Sequence, residues 1–352
     1  MYTAALPNVP KRGIYDLPVV HIRAILALAN AISPSGTAKI PFGNGDCALA
    51  KKRILITGAT GKTGGYAIKT LLEWKVPVRA LVHRMDARSE RLAADGVEIV
   101  QGDLSDFEAV SRALEGITEA YFVYSIEVPG ILEATAFFAE AALEQGVGAI
   151  VNMSQISARR IAKSHAAQNH WVAERLLDRS GIPVTHLRPT FFAEWLMYFS
   201  DSIREKDMFP LPFGDARYAP IAAEDQGRVI ATILNDPAEH AGKIYPLYGP
   251  KELTNYEVAD ILTQVLGRKI TYAALEIKDF MEIWKRTGFS AYNYQHIAAV
   301  AQDCRDGLFS GTNDLVEKLT GQKPLSMADY IAQNKALFSK PEGKNEAASA
   351  SC

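Results

Sequence analysis

The chain has few cysteines, and their positions suit neither a disulfide framework nor a metal site. Its 352 residues include only Cys47, Cys304 and Cys352, which lie far apart in the sequence. Small secreted domains carry many closely spaced cysteines, and zinc sites bring their cysteines together in short pairs. We therefore expect a protein of a reducing compartment, the cytoplasm, that binds no metal ion.

Long apolar runs are also missing. A membrane-spanning helix needs roughly 18 or more consecutive apolar residues, and no segment of the chain reaches that length. The longest apolar tract near the N-terminus, residues 22–32, is interrupted by Arg23 and Asn30 and has no charged segment directly ahead of it. We expect a short amphipathic helix there, around residues 19–31, and neither a signal peptide nor a membrane as partner.

Charges of the two signs are nearly balanced. The formal net charge is −2 at pH 7, and the chain is 48% apolar and 22% charged, as is typical of a globular protein. Such a balance gives no electrostatic reason to expect nucleic acid as a partner. A chain of this length can form one large domain or two smaller ones.

What the sequence does contain is a glycine-rich stretch directly after an apolar run. Residues 54–64 read Ile-Leu-Ile-Thr-Gly-Ala-Thr-Gly-Lys-Thr-Gly, which predicts a buried strand, a tight turn and the start of a helix. Glycines let the backbone approach a pyrophosphate, and the N–H groups at the helix N-terminus bind it. A purely structural strand-to-helix turn is the alternative, and the lysine could simply face solvent. The predicted dinucleotide site comprises Gly58, Thr60, Gly61, Lys62, Thr63 and Gly64.

The end of the next predicted strand indicates which dinucleotide binds. Residues 76–82 are mostly apolar and are followed by His83 and Arg84, with no acid before Asp86. An NAD site usually has Asp or Glu about 20 residues beyond the glycines, where it binds the ribose 2′-hydroxyl. A guanidinium at this position can instead hold a 2′-phosphate by two hydrogen bonds, so we predict NADP(H). Alternatively, Arg84 only caps a solvated loop.

Strand and helix patterns alternate from residue 51 to about residue 192. Six strands separated by helical segments predict a parallel, doubly wound sheet, with the ligand at the carboxyl ends of the strands. Beyond that region the pattern loosens. We expect a Rossmann domain over residues 51–200 and a smaller α+β substrate-binding lobe over 201–339, part of which the sheet can recruit. Residues 340–352, rich in Ala, Ser, Glu and Lys, are expected to be a disordered tail.

Within the C-terminal half, residues 208–214 predict a loop punctuated by proline and glycine. Helices are predicted at 224–234, 256–266, 278–287 and 326–337, with short extended pieces near 217–221 and 243–247. At the other end, residues 1–50 hold several prolines and glycines. They could be an arm that packs on a neighbouring subunit of a homo-oligomer, a loosely ordered extension, or the product of a start codon assigned too far upstream.

Taken together, these residues resemble the NmrA-like family of atypical short-chain dehydrogenase/reductases, over roughly residues 52–338. That family includes NADPH-dependent reductases of quinones, dyes and plant phenolic ethers, and also proteins that bind the dinucleotide and regulate partners without turnover. The motifs that carry the resemblance are the glycine-rich stretch of residues 54–64, Gly102-Asp103, Gly181-Ile182-Pro183 through Pro189, Phe191-Phe192-Ala193-Glu194, Gly249 through Thr254, and Gly311 through Leu315.

The resemblance also shows where this chain departs from an ordinary short-chain reductase. Such enzymes use a Tyr to protonate the substrate and a Lys four residues later. Aligned on Glu174, Ala166 stands at the Tyr position and His170 at the Lys position. Since imidazole titrates near neutrality, His170 could exchange a proton or bind the nicotinamide ribose. It could equally pair with a neighbouring polar group; His165 is a weaker candidate.

The resemblance assigns further positions to the site. Ser154 stands at the family's Ser/Thr position and could bond a substrate oxygen or the nicotinamide amide, or merely cap the next segment. Asp103 is expected to accept from the adenine amino group, or else to cap the helix near Asp106. Tyr124 is expected to line the ribose side of the cofactor. A flat substrate is expected to contact an aromatic pocket formed by Phe191, Phe192, Trp195 and Phe213, with Met208 and Phe209 beside them. Alternatively, these side chains are ordinary core residues.

The sequence therefore predicts an NADPH-dependent reductase of a flat conjugated or aromatic acceptor, of quinone, dye or enone type, whose partner is a small molecule. A missing tyrosine suits acceptors that need little acid catalysis. It also suits two alternatives, an NADP(H)-sensing regulatory protein without turnover and a non-redox enzyme on the same fold.

Overall fold

A computed structural model describes residues 51–340, which fold around a seven-stranded parallel sheet. A further pair of parallel strands, β7 and β9, forms a small second sheet. In the large sheet the strands lie in the order β3-β2-β1-β4-β5-β6-β8. In chain order the strands are β1 (Ile54–Ile56), β2 (Val78–Val82), β3 (Glu98–Gln101), β4 (Glu119–Phe122), β5 (Ala149–Met153), β6 (Val184–Pro189), β7 (Met208–Leu211), β8 (Ile244–Leu247) and β9 (Thr271–Ala274).

Helices connect these strands and cover the sheet. Short 3₁₀ helices at Ala193–Phe199, Ala238–His240 and Lys285–Thr287 supplement them. The α-helices are α1 (Lys62–Glu73), α2 (Ala87–Ala94), α3 (Phe107–Leu114), α4 (Ile131–Glu144), α5 (His165–Asp178), α6 (Ser200–Lys206), α7 (Ala223–Asn235), α8 (Asn255–Leu266), α9 (Ile277–Trp284), α10 (Ala291–Arg305), α11 (Leu315–Thr320), α12 (Met327–Gln333) and α13 (Lys335–Phe338).

The central strands are apolar throughout because helices cover both faces of the sheet. Every residue of β1, β2 and β5 is buried, as expected of a parallel sheet between two helical layers. One hydrophobic cluster joins the sheet to α1 and α7, and a second joins it to α3 and α4. The predicted doubly wound Rossmann fold is confirmed.

The sheet has its topological switch point at β1. This strand pairs with β2 on one side and with β4 on the other, so the connections that leave β1 and β4 run to opposite faces. Ligands of open α/β sheets bind in the crevice that this divergence opens at the carboxyl ends of the strands. The glycine-rich turn after β1 and Tyr124 after β4 both lie at that edge.

Residues 201–340 differ in several ways from the sequence prediction. The six strands predicted up to residue 192 are present as β1–β6, and the sheet recruits a seventh from the C-terminal half: β8 pairs in parallel with β6 through residues 244–247. Residues 208–211 form strand β7 and not the predicted loop, since Pro210 is tolerated in a two-stranded sheet. The predicted helix at 278–287 ends at Trp284 in α9, and the one at 326–337 is interrupted at Asn334.

The largest omission in the sequence prediction is α10, a helix of 15 residues. It packs with α9 and α5 and belongs to a third hydrophobic cluster, which is built mainly from residues beyond 190. The described residues nevertheless belong to one compact unit. A domain boundary near residue 200 therefore stays a prediction.

Three of the sequence predictions fall on residues that the structure does not describe. These are the helix around residues 19–31, the arm of residues 1–50 and most of the tail of residues 340–352. Between residues 51 and 340, no helix is both long enough and apolar enough to cross a membrane.

Candidate functional site

The glycine-rich turn forms a close-packed cradle at the start of α1. Gly58 has φ +59°, a left-handed conformation that favours glycine, and its carbonyl accepts from Gly61 N–H at 2.9 Å. A Cβ on Gly64 would lie 2.5 Å from the Gly58 oxygen, so only glycine fits against the turn. Gly61 is the N-cap of α1, and no side chain caps the helix. The N–H groups of its first turn therefore remain for a ligand.

Threonines fix the turn against the neighbouring strand. The Thr57 hydroxyl accepts from the backbone N–H of Val123 at 2.9 Å. The buried hydroxyl of Thr63 lies 3.0 Å from the hydroxyl of Tyr121, so Thr63 can offer a ligand its backbone N–H but not a free side chain. Thr60 is partly exposed, and Lys62 is exposed beside the cavity described below.

Arg84 extends into solvent at the end of β2. Its side chain is 74% exposed, and its nearest carboxylate, Asp86, is 3.9 Å away. Asp86 itself caps α2 and pairs with Arg88 at 2.7 Å, and these hydrogen bonds lower the pKa of Asp86 to about 2. The alternative role for Arg84, capping this loop, is thus filled by Asp86, and the guanidinium of Arg84 is available to a ligand.

Asp103 follows β3 at the same edge of the sheet. Its carboxylate accepts from the N–H and the hydroxyl of Ser105, which lower its pKa, and it lies 3.0 Å from His83 Nε2. The alternative that Asp103 caps α3 was wrong, because Asp106 occupies the N-cap and accepts from Ala109 N–H. Tyr124, whose hydroxyl donates to the Pro129 carbonyl, lies between this edge and the cavity.

A cavity of about 600 Å³ opens next to the glycine-rich turn. Lys62 and Thr63 border one end of it, and aromatic side chains form much of its wall. Of the predicted pocket residues, Phe213 does not line the cavity: it packs behind Phe191, with ring centroids 4.7 Å apart. Met208 and Phe209, in β7, are not on the wall either. The aromatic lining comprises Tyr124, Phe191, Phe192, Trp195, Tyr198, Trp284, Phe289 and Phe309.

Ser154 lies on the cavity wall and belongs to a buried network. Its hydroxyl donates to Glu174 Oε1 at 2.6 Å. Glu174 is fully buried and also accepts two hydrogen bonds from Arg188, at 2.8 and 2.5 Å. The next helix is capped by Ser164, so Ser154 is not the capping residue that the alternative required. With its proton engaged, the Ser154 oxygen can only accept a hydrogen bond from a ligand.

Two buried histidines face the same cavity from different helices. His170, on α5, is 5% exposed, and its Nδ1 has no hydrogen-bond partner among the described residues. His296, on α10, bonds the Ser164 hydroxyl through Nδ1 at 2.7 Å. Burial, and then the neighbouring His296, lowers the pKa of His170 to about 4, and burial alone lowers that of His296 to about 4. Both imidazoles are therefore neutral at pH 7.

The structure adds residues to the site that sequence reasoning missed. Asn293 and His296 reach the wall from α10, Trp284 from α9, and Phe289 from the loop between them. Asn293 accepts from the indole N–H of Trp284 at 3.0 Å, which fixes this part of the wall. No group of three or more His, Cys, Asp or Glu side chains within residues 51–340 is arranged to hold a metal ion.

Comparison with known proteins places this site in context. The model of the NmrA-like family matches residues 50–330. The chain is 29% identical to the NAD(P)H azoreductase of Xenophilus azovorans, covering 81% of this chain and 99% of that protein. It is also 29% identical to quinone oxidoreductase 2 of Escherichia coli, covering 79% and 97%. The crystal structure of the E. coli NADPH-dependent quinone oxidoreductase with NADPH matches with a TM-score of 0.72 at 28% identity, covering 80% and 99% of the two chains.

Proposed function

The chain belongs to the NmrA-like family, and we propose from this premise that it is an NADPH-dependent reductase of flat conjugated or aromatic acceptors. The observation that carries the proposal is the position of the aromatic cavity, which opens beside the N-terminus of α1 at the carboxyl edge of the sheet. A dinucleotide bound at that edge would lie next to an acceptor held by aromatic rings. The relatives named for azo and quinone reduction agree with an oxidoreductase of this class.

The residues present fit a dinucleotide. The space that a Cβ on Gly64 would fill, and the uncapped first turn of α1, suit a pyrophosphate. We assign the cradle to the six residues predicted for it, and the 2′-phosphate to Arg84, whose guanidinium is exposed and only loosely paired. Asp103 and Tyr124 are assigned to the adenosine and ribose side. The predicted cofactor, NADP(H), agrees with the NADPH bound in the similar E. coli structure.

The cofactor supplies a hydride, and this chain's own residues position the acceptor. Ser154 offers only an acceptor oxygen to a ligand, because its proton is held by Glu174. His170 is neutral at pH 7 and can donate or accept one hydrogen bond, but it holds no extra proton to give up. Ala166, buried on α5 one turn before His170, supplies no acid. The site therefore suits acceptors whose reduction does not depend on a strong proton donor in the cavity.

Two further assignments remain proposals. A cytoplasmic location rests on the small number of cysteines in the sequence. Homo-oligomerisation through residues 1–50 concerns a segment outside the described residues. Its test is the mass of the full chain in solution compared with that of a chain beginning at Lys51.

The first experiment is a titration with NADPH, NADH and their oxidised forms, followed by a panel of quinones, azo dyes and triarylmethane dyes. We expect tighter binding of NADPH than of NADH, and loss of the NADPH absorbance with at least one acceptor. Tight binding without oxidation by any acceptor would overturn the reductase and favour a dinucleotide sensor. Absence of binding would overturn the cofactor site itself.

A further inference from the structure

A tyrosine lies at the fully buried centre of the sheet, in a cluster whose other members are apolar. Tyr121, in β4, is 0% exposed and belongs to the hydrophobic cluster that joins the sheet to α1 and α7. Burial raises the pKa of its phenol, so the hydroxyl keeps its proton. A hydroxyl in such surroundings costs free energy unless it forms a hydrogen bond. Phenylalanine could fill the same space, so the hydroxyl needs an explanation of its own.

The hydroxyl of Tyr121 is bonded to the start of α1. It lies 3.0 Å from the hydroxyl of Thr63, and both side chains are buried. Thr63 is the second residue of α1 and stands between Lys62 and Gly64 in the first turn, which no side chain caps. The hydrogen bond therefore fixes the middle one of the three residues whose N–H groups remain for the proposed pyrophosphate.

The backbone of the same tyrosine holds the other end of the glycine-rich turn. Its carbonyl accepts from the N–H of Thr57, the residue that precedes the first glycine, at 3.1 Å. Two residues further along, Val123 donates its N–H to the Thr57 hydroxyl at 2.9 Å, and a Cβ on Gly58 would lie 2.5 Å from Val123 Cγ1. Tyr121 thus fixes the turn at both ends, through its carbonyl at Thr57 and through its hydroxyl at Thr63.

We propose, on the basis of the proposed dinucleotide site, that Tyr121 is a positioning residue for the cofactor. It does not line the cavity, and it acts through Thr63. The hydrogen bond holds the first turn of α1 against β4, so that the N–H groups of the turn are already in place before the cofactor binds. Binding then orders fewer groups, which increases the affinity.

Removing the hydroxyl while keeping the ring tests this role. Because NADPH and NADH share the pyrophosphate, Tyr121→Phe should raise both dissociation constants by the same factor, about 2- to 12-fold, the equivalent of one net hydrogen bond. Adenosine 2′-monophosphate, which carries the 2′-phosphate but no pyrophosphate, should bind unchanged. Tyr272→Phe is the matched control, since the buried Tyr272 hydroxyl donates to the Leu211 carbonyl at 2.9 Å away from the cavity wall. It should lower stability and leave the three affinities as they are.

A second set of variants separates positioning from stability. Tyr121→Phe and Thr63→Val each leave one buried hydroxyl without its partner, so each should unfold at a lower urea concentration than the parent. The double variant removes both hydroxyls, which is nearly neutral for stability, and its urea midpoint should return towards that of the parent. Its affinity for NADPH should stay as low as that of Tyr121→Phe, because no hydrogen bond then holds the turn. Thr63→Ser keeps a hydroxyl and should retain the affinity.

Three results would overturn the positioning role of Tyr121. These are an unchanged NADPH affinity in Tyr121→Phe, an equal loss of affinity in Tyr272→Phe, and a double variant that binds NADPH as tightly as the parent. Failure of the proposed function looks different. If the parent binds neither NADPH nor NADH, the dinucleotide site and this proposal fail together. If the parent binds NADPH but oxidises it with no acceptor, only the reductase fails, and the comparison of the variants still decides the role of Tyr121.

Discussion

Close packing of the glycine-rich turn predicts opposite outcomes for two adjacent substitutions. A Cβ on Gly64 would lie 2.5 Å from the oxygen and 2.9 Å from the carbon of Gly58, and 3.1 Å from the Ala59 Cα. These are backbone atoms that no rotamer change can move away. A Cβ on Gly65 has Ala59 O as its nearest neighbour at 3.7 Å, an ordinary contact. Gly64→Ala should therefore displace the turn, and Gly65→Ala should not.

Magnitudes follow from two opposing effects. Replacing glycine by alanine inside a helix stabilises it by roughly 0.5–1 kcal/mol, and this gain applies to both positions in α1. Forcing an extra carbon into a packed site costs about 1–3 kcal/mol, and this cost applies to Gly64 alone. We expect Gly65→Ala to be neutral or more stable than the parent, and Gly64→Ala to be less stable by up to about 2 kcal/mol. Because the displaced turn is the proposed pyrophosphate cradle, NADPH affinity should fall tenfold or more, by the same order of free energy.

Urea unfolding gives the two stabilities, and a fluorescence titration gives the two NADPH dissociation constants. Each Gly64→Ala value is compared with that of Gly65→Ala, which carries the same added methyl group one residue away. If both variants unfold at the same urea concentration and bind NADPH equally well, the turn tolerates the added carbon. The packing argument, and with it the assignment of the cradle, would then be refuted.

Further predictions concern the choice between NADPH and NADH and the pH dependence of stability. Arg84→Ala should weaken NADPH binding about 5- to 150-fold and leave NADH binding nearly unchanged, because a charged hydrogen-bonded contact contributes about 1–3 kcal/mol. The control variant Arg88→Ala, which removes an arginine already paired with a carboxylate, should change neither affinity. An equal loss of affinity for both cofactors in Arg84→Ala would exclude Arg84 from the 2′-phosphate. Burial lowers the pKa of His170 and of His296 to about 4, below their unfolded value of about 6.5. The unfolded chain therefore binds more protons between these values, and stability should fall as pH decreases through that window, by at most roughly 3 kcal/mol for each histidine. Urea unfolding at a series of pH values should show a smaller pH dependence in His296→Gln and an unchanged one in the exposed-site variant His165→Gln.

The parts of the fold that could be predicted from sequence are those with a strong periodic or steric signal. Buried parallel strands are apolar on both faces, so β1, β2 and β5 stand out as continuous runs. Glycines at three-residue spacing after β1 indicate a turn that only glycine permits, and Gly64 shows the physical reason. Once the alternation of strands and helices is recognised, the position of the crevice follows from topology alone.

The helix α10 could not be predicted because its buried face is partly polar. Asn293, His296 and Asp303 are buried at positions where an amphipathic helix would carry apolar residues. Asn293 and His296 serve the cavity, and Asp303 holds a bidentate ion pair with Arg159. Each of these roles places a polar residue where a recognisable amphipathic helix would have an apolar one, so sequence reasoning missed the part of the cavity wall that α10 supplies.

What Ala166, at the position of the usual tyrosine, means for the chemistry becomes clear only when α10 is seen to form part of the cavity wall. Sequence alone shows that the usual acid is missing and that His170 stands nearby, which is compatible with a substitute acid. The structure brings a second buried histidine, His296, towards the same cavity, and burial keeps both rings neutral. A site built in this way has no protonated imidazole at pH 7 to act as an acid, and aromatic side chains form much of its wall. The cavity therefore suits the proposed flat acceptors, whose reduction does not depend on a strong proton donor on its wall.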